Sequence, residues 1–236
     1  VRNKKVMKDI SLIAFDADDT LWECQTYFEA VEREYCEILS SYSYADEISK
    51  ALFAVETANM PLLGYGSKAF ILSLLENAIE ISDGKLKAEE VKRILALGKG
   101  LLQLPAKPMK GVVETLKVLR ELEKYHLVVF TKGELLDQEN KFHRSGLALY
   151  FEDIVVVSDK TEKSYHQLCE RFSIGVGQLL MVGNSFRSDI EPVLKLGGWA
   201  AHIPFHTTWQ HEVIEEYEHP HLMKLEFFTQ LKDVLL

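Results

Sequence analysis

The chain has 236 residues, of which 47% are hydrophobic and 27% are charged, and its formal net charge is −9. These values are typical of a water-soluble globular protein with one or two domains. They argue against a nucleic-acid partner, because the lysines are scattered and form no basic stripe, and against a membrane protein, because no apolar run could span a bilayer.

The first apolar run, residues 10–15, follows a basic segment over residues 1–9. Together they resemble a signal peptide, but the run is short and ends in Asp16, Asp18 and Asp19 instead of the small residues that precede a cleavage site. We therefore predict a buried first strand that ends at these acids.

Residues 24–104 carry helical periodicity and no good strand. Apolar side chains recur every three or four positions at residues 28–42, 70–78 and 91–102, and Ser43 and Asp46 resemble a capping box that opens a further helix toward Met60. Successive amphipathic helices of this kind predict a small helical bundle inserted into the chain. Pro105 and Pro108 mark the return from it.

The remainder alternates between strands and helices. Buried parallel strands are predicted by four apolar runs, at residues 127–131, 154–157, 179–182 and 199–203. Helices are predicted at residues 111–124, 163–172 and 187–196. This alternation predicts a doubly wound parallel α/β sheet. We expect an α/β core domain of residues 1–23 and 105–236, and a small all-helical domain of residues 24–104.

Polar residues that could bind phosphate follow the first two strands. Asp16 and Asp18 lie two positions apart after the first strand, so that one can be a nucleophile and the other a general acid or base. Thr131, Lys132 and Gly133 end the second strand, where a hydroxyl and free backbone amides can hold a phosphoryl oxygen.

Residues of complementary chemistry follow the third and fourth strands. Lys163 begins the helix after the third strand, with Lys160 as a local alternative, and a cation there can neutralise a phosphate. Asn184 and Asp189 follow the fourth strand and offer hard oxygen ligands that suit Mg²⁺. Each residue alone has an ordinary structural role. Because the carboxyl ends of parallel strands meet at one edge, the combination predicts a single site.

These residues, in this order, resemble the motifs of the haloacid dehalogenase-like hydrolase superfamily, most of whose members are phosphatases. The matching residues are Asp16, Asp18 and Thr20 in the first motif, Thr131 in the second, Lys163 in the third, and Gly183, Asn184 and Asp189 in the fourth. The resemblance covers residues 10–23 and 105–204, and the helical insertion occupies the position of the family's helical cap domain. Two residues depart from the pattern: Asp19 replaces a frequent glycine and Asn184 replaces an acid.

The resemblance implies a Mg²⁺-dependent phosphatase that hydrolyses a small phosphorylated metabolite. Asp16 would form an aspartyl-phosphate, and Asp18, made easier to protonate by crowded acids, would protonate the leaving alcohol and then activate water. Thr131 and Lys163 would stabilise the phosphoryl oxygens, and Ala17, Lys132 and Gly133 would contact the substrate. The metal would be held by Asp16, Asp189 and the carbonyl of Asp18, with the amide of Asn184 nearby.

Other functions use similar residues. An acid at Asp18 favours phosphate esters over carbon–halogen bonds, because a displaced halide needs no proton. A phosphomutase would use the same acids. From a different class, a non-catalytic phosphate-binding protein or a phospho-accepting receiver also gathers acids and a lysine. A receiver, however, would have its phosphorylated Asp at the third strand and its Lys at the fifth. Repeated phosphate release would distinguish an enzyme from both.

The segment of residues 61–68, between two predicted helices, is a candidate substrate loop. Tyr65 lies between two glycines, and Lys68 follows at a helix start, where a cation is unfavourable without a partner. We predict that Tyr65 and Lys68 face the sheet edge and bind the substrate. The alternative is a plain turn, with Tyr65 packed on the bundle and Lys68 in solvent.

Cysteines and histidines give no metal motif. Cys24, Cys36 and Cys169 lack ligand spacing and predict reduced thiols in the cytoplasm. Five of the eight histidines follow residue 201, again without a recognisable spacing, and a packed or solvated tail is expected there.

Overall fold

A computed structural model of the chain describes residues 9–236. The first eight residues of the predicted core domain, which carry most of its basic start, lie outside the described residues. Six parallel strands form one sheet in the order β3-β2-β1-β4-β5-β6. The strands are β1 (Leu12–Phe15), β2 (His126–Lys132), β3 (Asp153–Val157), β4 (Leu179–Gly183), β5 (Trp199–His202) and β6 (Leu222–Lys224).

Helices cover both faces of this sheet, which confirms the predicted doubly wound α/β fold. Ile13 and Phe15 of β1 pack under Leu116 on one face, while Leu12 and Ala14 pack under the helices of the other. Because both faces are buried, the strands are continuous apolar runs. The helices are α1 (Gln25–Ile38), α2 (Ala45–Leu63), α3 (Ser67–Ile81), α4 (Ala88–Leu101), α5 (Val112–Glu121), α6 (Leu135–Ser145), α7 (Glu162–Arg171), α8 (Glu191–Lys195) and α9 (Leu231–Leu235).

Helices α1–α4 lie between β1 and β2 in the chain and pack around an apolar cluster of their own. Leu39, Leu52 and Leu74 are at most 1% exposed within it. The buried hydroxyl of Tyr35 donates to the carbonyl of Leu74 at 2.9 Å and accepts from the Asn77 amide at 2.8 Å. The four helices occupy the residues predicted for the insertion, and we call residues 24–104 the helical insertion.

The junction between α2 and α3 is shorter than the predicted loop. Helix α2 includes Pro61 and runs to Leu63, so that only Gly64, Tyr65 and Gly66 separate the two helices. Gly64 has φ +72° and Gly66 has φ +119°, conformations that residues with side chains rarely adopt. The two glycines therefore allow a tight reversal that projects Tyr65.

Gly98 and Gly100 of α4 provide a matched test of the packing in the helical insertion. A Cβ at Gly98 would lie 2.1 Å from Cγ1 of Ile71 in α3, whereas a Cβ at Gly100 would meet nothing within 4 Å. Alanine favours a helix at both positions, but overpacking a filled interface costs about 1–3 kcal/mol. We expect Gly98→Ala to have a free energy of unfolding lower than that of Gly100→Ala by this amount, measured by urea denaturation. Equal stabilities would contradict the close packing of α3 on α4.

Candidate active site

Asp16 lies at the carboxyl end of the central strand β1 and is 7% exposed. Its Oδ1 forms an ion pair with Lys160, whose ammonium group also contacts Oδ1 of Asp189 at 2.6 Å. The Lys160 side chain is 1% exposed. One buried cation thus joins the ends of β1, β3 and β4.

The structure corrects the predicted lysine. Lys163 is exposed on the first turn of α7, whereas Lys160 precedes that helix and reaches the site. Helix α7 starts at Glu162 because Thr161 is its N-cap: the Thr161 side chain accepts the Ser164 amide at 3.3 Å, and the Ser164 hydroxyl accepts the Thr161 amide at 2.8 Å. This capping box holds Lys160 in the loop that follows β3.

The buried carboxylates of the site repel one another. Burial, followed by the charge of Asp189, raises the pKa of Asp16 to about 7, although Lys160 acts in the opposite direction. Asp189 is fixed on its other side, where its Oδ2 accepts the Ser185 amide at 3.0 Å. A Cβ at Gly183 would lie 2.2 Å from that oxygen, so glycine is needed there.

Oxygen atoms converge beside Asp16 in a way that suits a cation. With its amide oriented for hydrogen bonding, Asn184 donates to Oδ2 of Asp16 and to the carbonyl of Asp18, both at 3.2 Å, and to the Thr20 hydroxyl at 3.1 Å. Within residues 9–236, no three His, Cys, Asp or Glu side chains are grouped to hold a metal ion. A metal ion at the position of this amide nitrogen would instead be bound by the Asp16 carboxylate, the Asp18 carbonyl and the side-chain oxygen of Asn184. All three are hard oxygen ligands.

Asp189 was expected among the metal ligands, and the structure gives it different partners. Its two carboxylate oxygens contact Lys160 and the Ser185 amide. Asp189 thus helps to hold Lys160, as Asp16 does. Its part in binding a metal ion, with Asp16, Asp18 and Asn184, stays a prediction.

The Asp18 side chain is surrounded by donors. Lys141 of α6 contacts both of its oxygens, at 2.8 and 2.7 Å, and the Gln138 amide and the Trp22 indole each donate to it at 2.8 Å. Burial alone would raise the pKa of Asp18, but Lys141 and these hydrogen bonds hold it below its ordinary value. The expectation that crowded acids favour its protonated form is therefore wrong.

The two departures from the family pattern have different consequences. Asp19 has φ +63°, in the left-handed region that glycine favours and that Asp tolerates better than most residues. Its carboxylate also accepts the Cys24 and Gln25 amides at 2.8 and 3.0 Å at the start of α1. Asp19 thus stabilises the backbone of the turn and the start of α1, whereas Asn184 lies among the converging oxygens.

Thr131, Lys132 and Gly133 at the end of β2 have different partners. Thr131 is 1% exposed and lines the cavity beside Asp16. The Lys132 ammonium forms an ion pair with Glu212 and donates to the Ser188 hydroxyl at 2.9 Å. The Gly133 amide donates to the Val157 carbonyl at 3.1 Å, so it is not free for a phosphoryl oxygen.

Ala17 is fully buried between the two acids. Its carbonyl accepts the Leu21 amide at 2.8 Å within the turn that follows β1. The backbone of Ala17 thus shapes the turn, and its methyl group packs in the core.

A cavity of about 190 Å³ lies between the sheet edge and the helical insertion. Tyr65 lines it, as predicted, and its ring lies 4.1 Å from the Lys132 ammonium. Lys68 is placed elsewhere, in a partly exposed ion pair of 2.6 Å with Glu134, which joins α3 to the core. The predicted substrate loop therefore faces the site through Tyr65 and contacts the core through Lys68.

A wall of this cavity comes from the segment after β5, for which the sequence predicts only a packed or solvated tail. Thr208, Trp209 and Glu212 line the cavity. The Trp209 ring packs edge-on against Tyr65 at 5.9 Å, and His211 stacks on Phe53 of α2 at 4.1 Å. Trp209 is a large aromatic residue in a polar stretch, and this alone indicates from the sequence that the segment packs against the rest of the protein.

The model of the family described as "haloacid dehalogenase-like hydrolase" matches residues 10–197. The chain belongs to this family. A haloacid dehalogenase-like hydrolase structure from Xanthomonas campestris is 33% identical, with a TM-score of 0.86 over 96% of this chain and 92% of that one. The match favours a hydrolase over the receiver-like alternative.

More distant structures share the fold alone. A predicted phosphoglycolate phosphatase from Haemophilus somnus is 16% identical with a TM-score of 0.63, and covers 98% of this chain and 100% of that one. A 2-haloacid dehalogenase from Pseudomonas syringae is 19% identical with the same TM-score, and covers 96% of this chain and 98% of that one. None of the curated proteins compared with the chain matches it. Between residues 9 and 236, no helix has the length and apolarity to cross a membrane.

Lys160→Met and Lys163→Met should differ sharply in stability. Loss of Lys160 leaves Asp16 and Asp189 buried without a counter-charge, and breaking a buried ion pair costs about 3–5 kcal/mol. Loss of the exposed Lys163 should change the free energy of unfolding by less than about 0.5 kcal/mol. Urea denaturation at pH 8 without added metal compares the two. Equal stabilities would contradict the position given to Lys160.

Proposed function

We propose that this family member is a Mg²⁺-dependent phosphatase that hydrolyses a small phosphorylated metabolite through an aspartyl-phosphate on Asp16. The observation that carries the proposal is the position of Asp18. Its carboxylate lines the same cavity as Asp16, where it can exchange a proton with a leaving alcohol or with water. Displacement of a halide needs no such group, so the pair favours a phosphate ester as the substrate.

Asp16 and Asp18 have different roles in phosphoryl transfer. Asp16 attacks phosphorus and the bond to the ester oxygen breaks. Asp18 passes a proton to the departing oxygen, having taken that proton from solvent when the negative phosphate beside it favours its protonated form. Asp18 then takes a proton from water, which attacks the phosphorus of the aspartyl-phosphate and regenerates Asp16. Bound Mg²⁺, held by Asp16, the Asp18 carbonyl and Asn184, would offset the charge of the phosphoryl group.

Lys160 and Lys141 set the charge state of the two acids. Lys160 lowers the pKa of Asp16 against the effects of burial and of Asp189, and so favours the carboxylate form that can act as nucleophile. Lys141 holds Asp18 as a carboxylate, the form that activates water in the second half of the cycle. Thr131, buried at the end of β2, would donate to a phosphoryl oxygen.

Steady release of phosphate from p-nitrophenyl phosphate tests the proposal. We expect multiple turnovers with Mg²⁺, reversible loss of activity on chelation, and no turnover by Asp16→Asn, because an amide is a poor nucleophile. Lys163→Met is the control, since that side chain is exposed outside the site. Circular dichroism checks that each variant is folded. Full activity of Asp16→Asn, or of the exhaustively chelated enzyme, would refute the mechanism.

A further inference from the structure

Two glutamates of the helical insertion line the catalytic cavity without a cationic partner. They are Glu32 of α1 and Glu56 of α2, both half-buried. Among residues 9–236, no lysine, arginine or histidine lies within 4 Å of either carboxylate. Burial, followed by the charge of Glu32, raises the pKa of Glu56 to about 7. A half-buried carboxylate that has no cationic partner is stabilised by a cation that enters the cavity.

The lysines that line the cavity are already neutralised. Lys141 is paired with Asp18, and Lys132 is paired with Glu212. Neither is free to receive an anionic group of the substrate beyond its phosphate. A leaving group that carries a carboxylate or a second phosphate would therefore meet uncompensated negative charge at Glu32, and at Glu56 when it is ionised.

Buried acceptors at the same cavity lack donors. Asp137 and Gln138 are 4% and 3% exposed, and both line the cavity. One side-chain oxygen of each, Oδ1 of Asp137 and Oε1 of Gln138, has no hydrogen-bond partner. Both oxygens are fully buried behind the cavity surface, so they make this wall more electronegative without touching a ligand themselves.

Aromatic rings complete the wall. Phe28 and Phe70 of the helical insertion pack with their centroids 5.1 Å apart, and both line the cavity together with Tyr65 and Trp209. Aromatic faces beside carboxylates attract organic cations, because the ring quadrupole and the negative charge act in the same direction.

We propose that the leaving alcohol of the substrate carries a protonated amine, which binds between Glu32, Glu56 and the aromatic wall. This inference rests on the proposed function and specifies its substrate class: phosphate monoesters of amino alcohols. The cavity of about 190 Å³ is smaller than the roughly 300–1,000 Å³ of pockets for drug-sized ligands, and it suits a small metabolite of this kind.

Paired substrates of equal length test the inference. The values of kcat/KM are measured for ω-aminoalkyl phosphates with two to five carbons and for alkyl phosphates in which a methyl group replaces the amine. We expect the best amine to exceed its neutral partner by at least about tenfold, since the amine satisfies charged and hydrogen-bonding groups that the methyl leaves unpaired. Phosphoglycolate, which carries a carboxylate instead, should be poorer than either.

Variants locate the preference. Replacing both Glu32 and Glu56 by Gln should reduce the ratio of amine to alkyl kcat/KM to near one. Glu34→Gln, at an exposed position of α1 outside the cavity, should leave the ratio unchanged. If no amine exceeds its alkyl partner in the wild-type enzyme, or if the double variant keeps the full ratio, the inference is overturned. Failure to turn over p-nitrophenyl phosphate would instead overturn the proposed function, so the two outcomes are separable.

Discussion

Lys160 lies between Asp16 and Asp189 where three strands end, and its single positive charge is shared by two carboxylates that are almost completely buried. Buried ions are costly unless they are paired, so the site can exist only if the surrounding backbone places all three groups within contact. The central position of β1 between β2 and β4 does this for Asp16. The capping box of α7 holds Lys160 in the loop before that helix, and the absence of a side chain at Gly183 leaves room for Asp189.

The helical insertion meets the core through contacts of several kinds, and together they enclose the cavity. Lys68 pairs with Glu134 at the sheet edge. From the opposite side, Thr207 donates to Glu29 of α1 at 2.6 Å, and Trp209 packs on Tyr65. The segment after β5 lies beyond the residues matched by the family and nevertheless supplies part of the wall. The walls of the cavity outside the sheet edge thus come from two separate parts of the chain.

The sequence predicts most of the sheet because its strands are buried on both faces and therefore read as apolar runs. It does not reveal β6, whose three residues include an exposed Lys224 and resemble a loop. Lys163 and Lys160 are only three positions apart, and the choice between them depends on where α7 begins. Thr161 and Ser164 form a capping pattern that places the helix start after Lys160, and this local signal favours Lys160 over Lys163. The pairing of Asp18 with Lys141 joins residues 123 positions apart, and nothing local in the sequence indicates it.

The central claim, that Asp16 is phosphorylated during turnover, is tested most directly by trapping the intermediate. Asp18→Asn removes the group that activates water, so the aspartyl-phosphate should accumulate when the variant is mixed with Mg²⁺ and p-nitrophenyl phosphate and quenched in acid. Mass spectrometry of the digested protein is then expected to show one phosphoryl group on the peptide that contains Asp16, and none in the same peptide of Asp16→Asn. A phosphoryl group on another residue, or continued turnover by Asp18→Asn with no labelled peptide, would contradict the account.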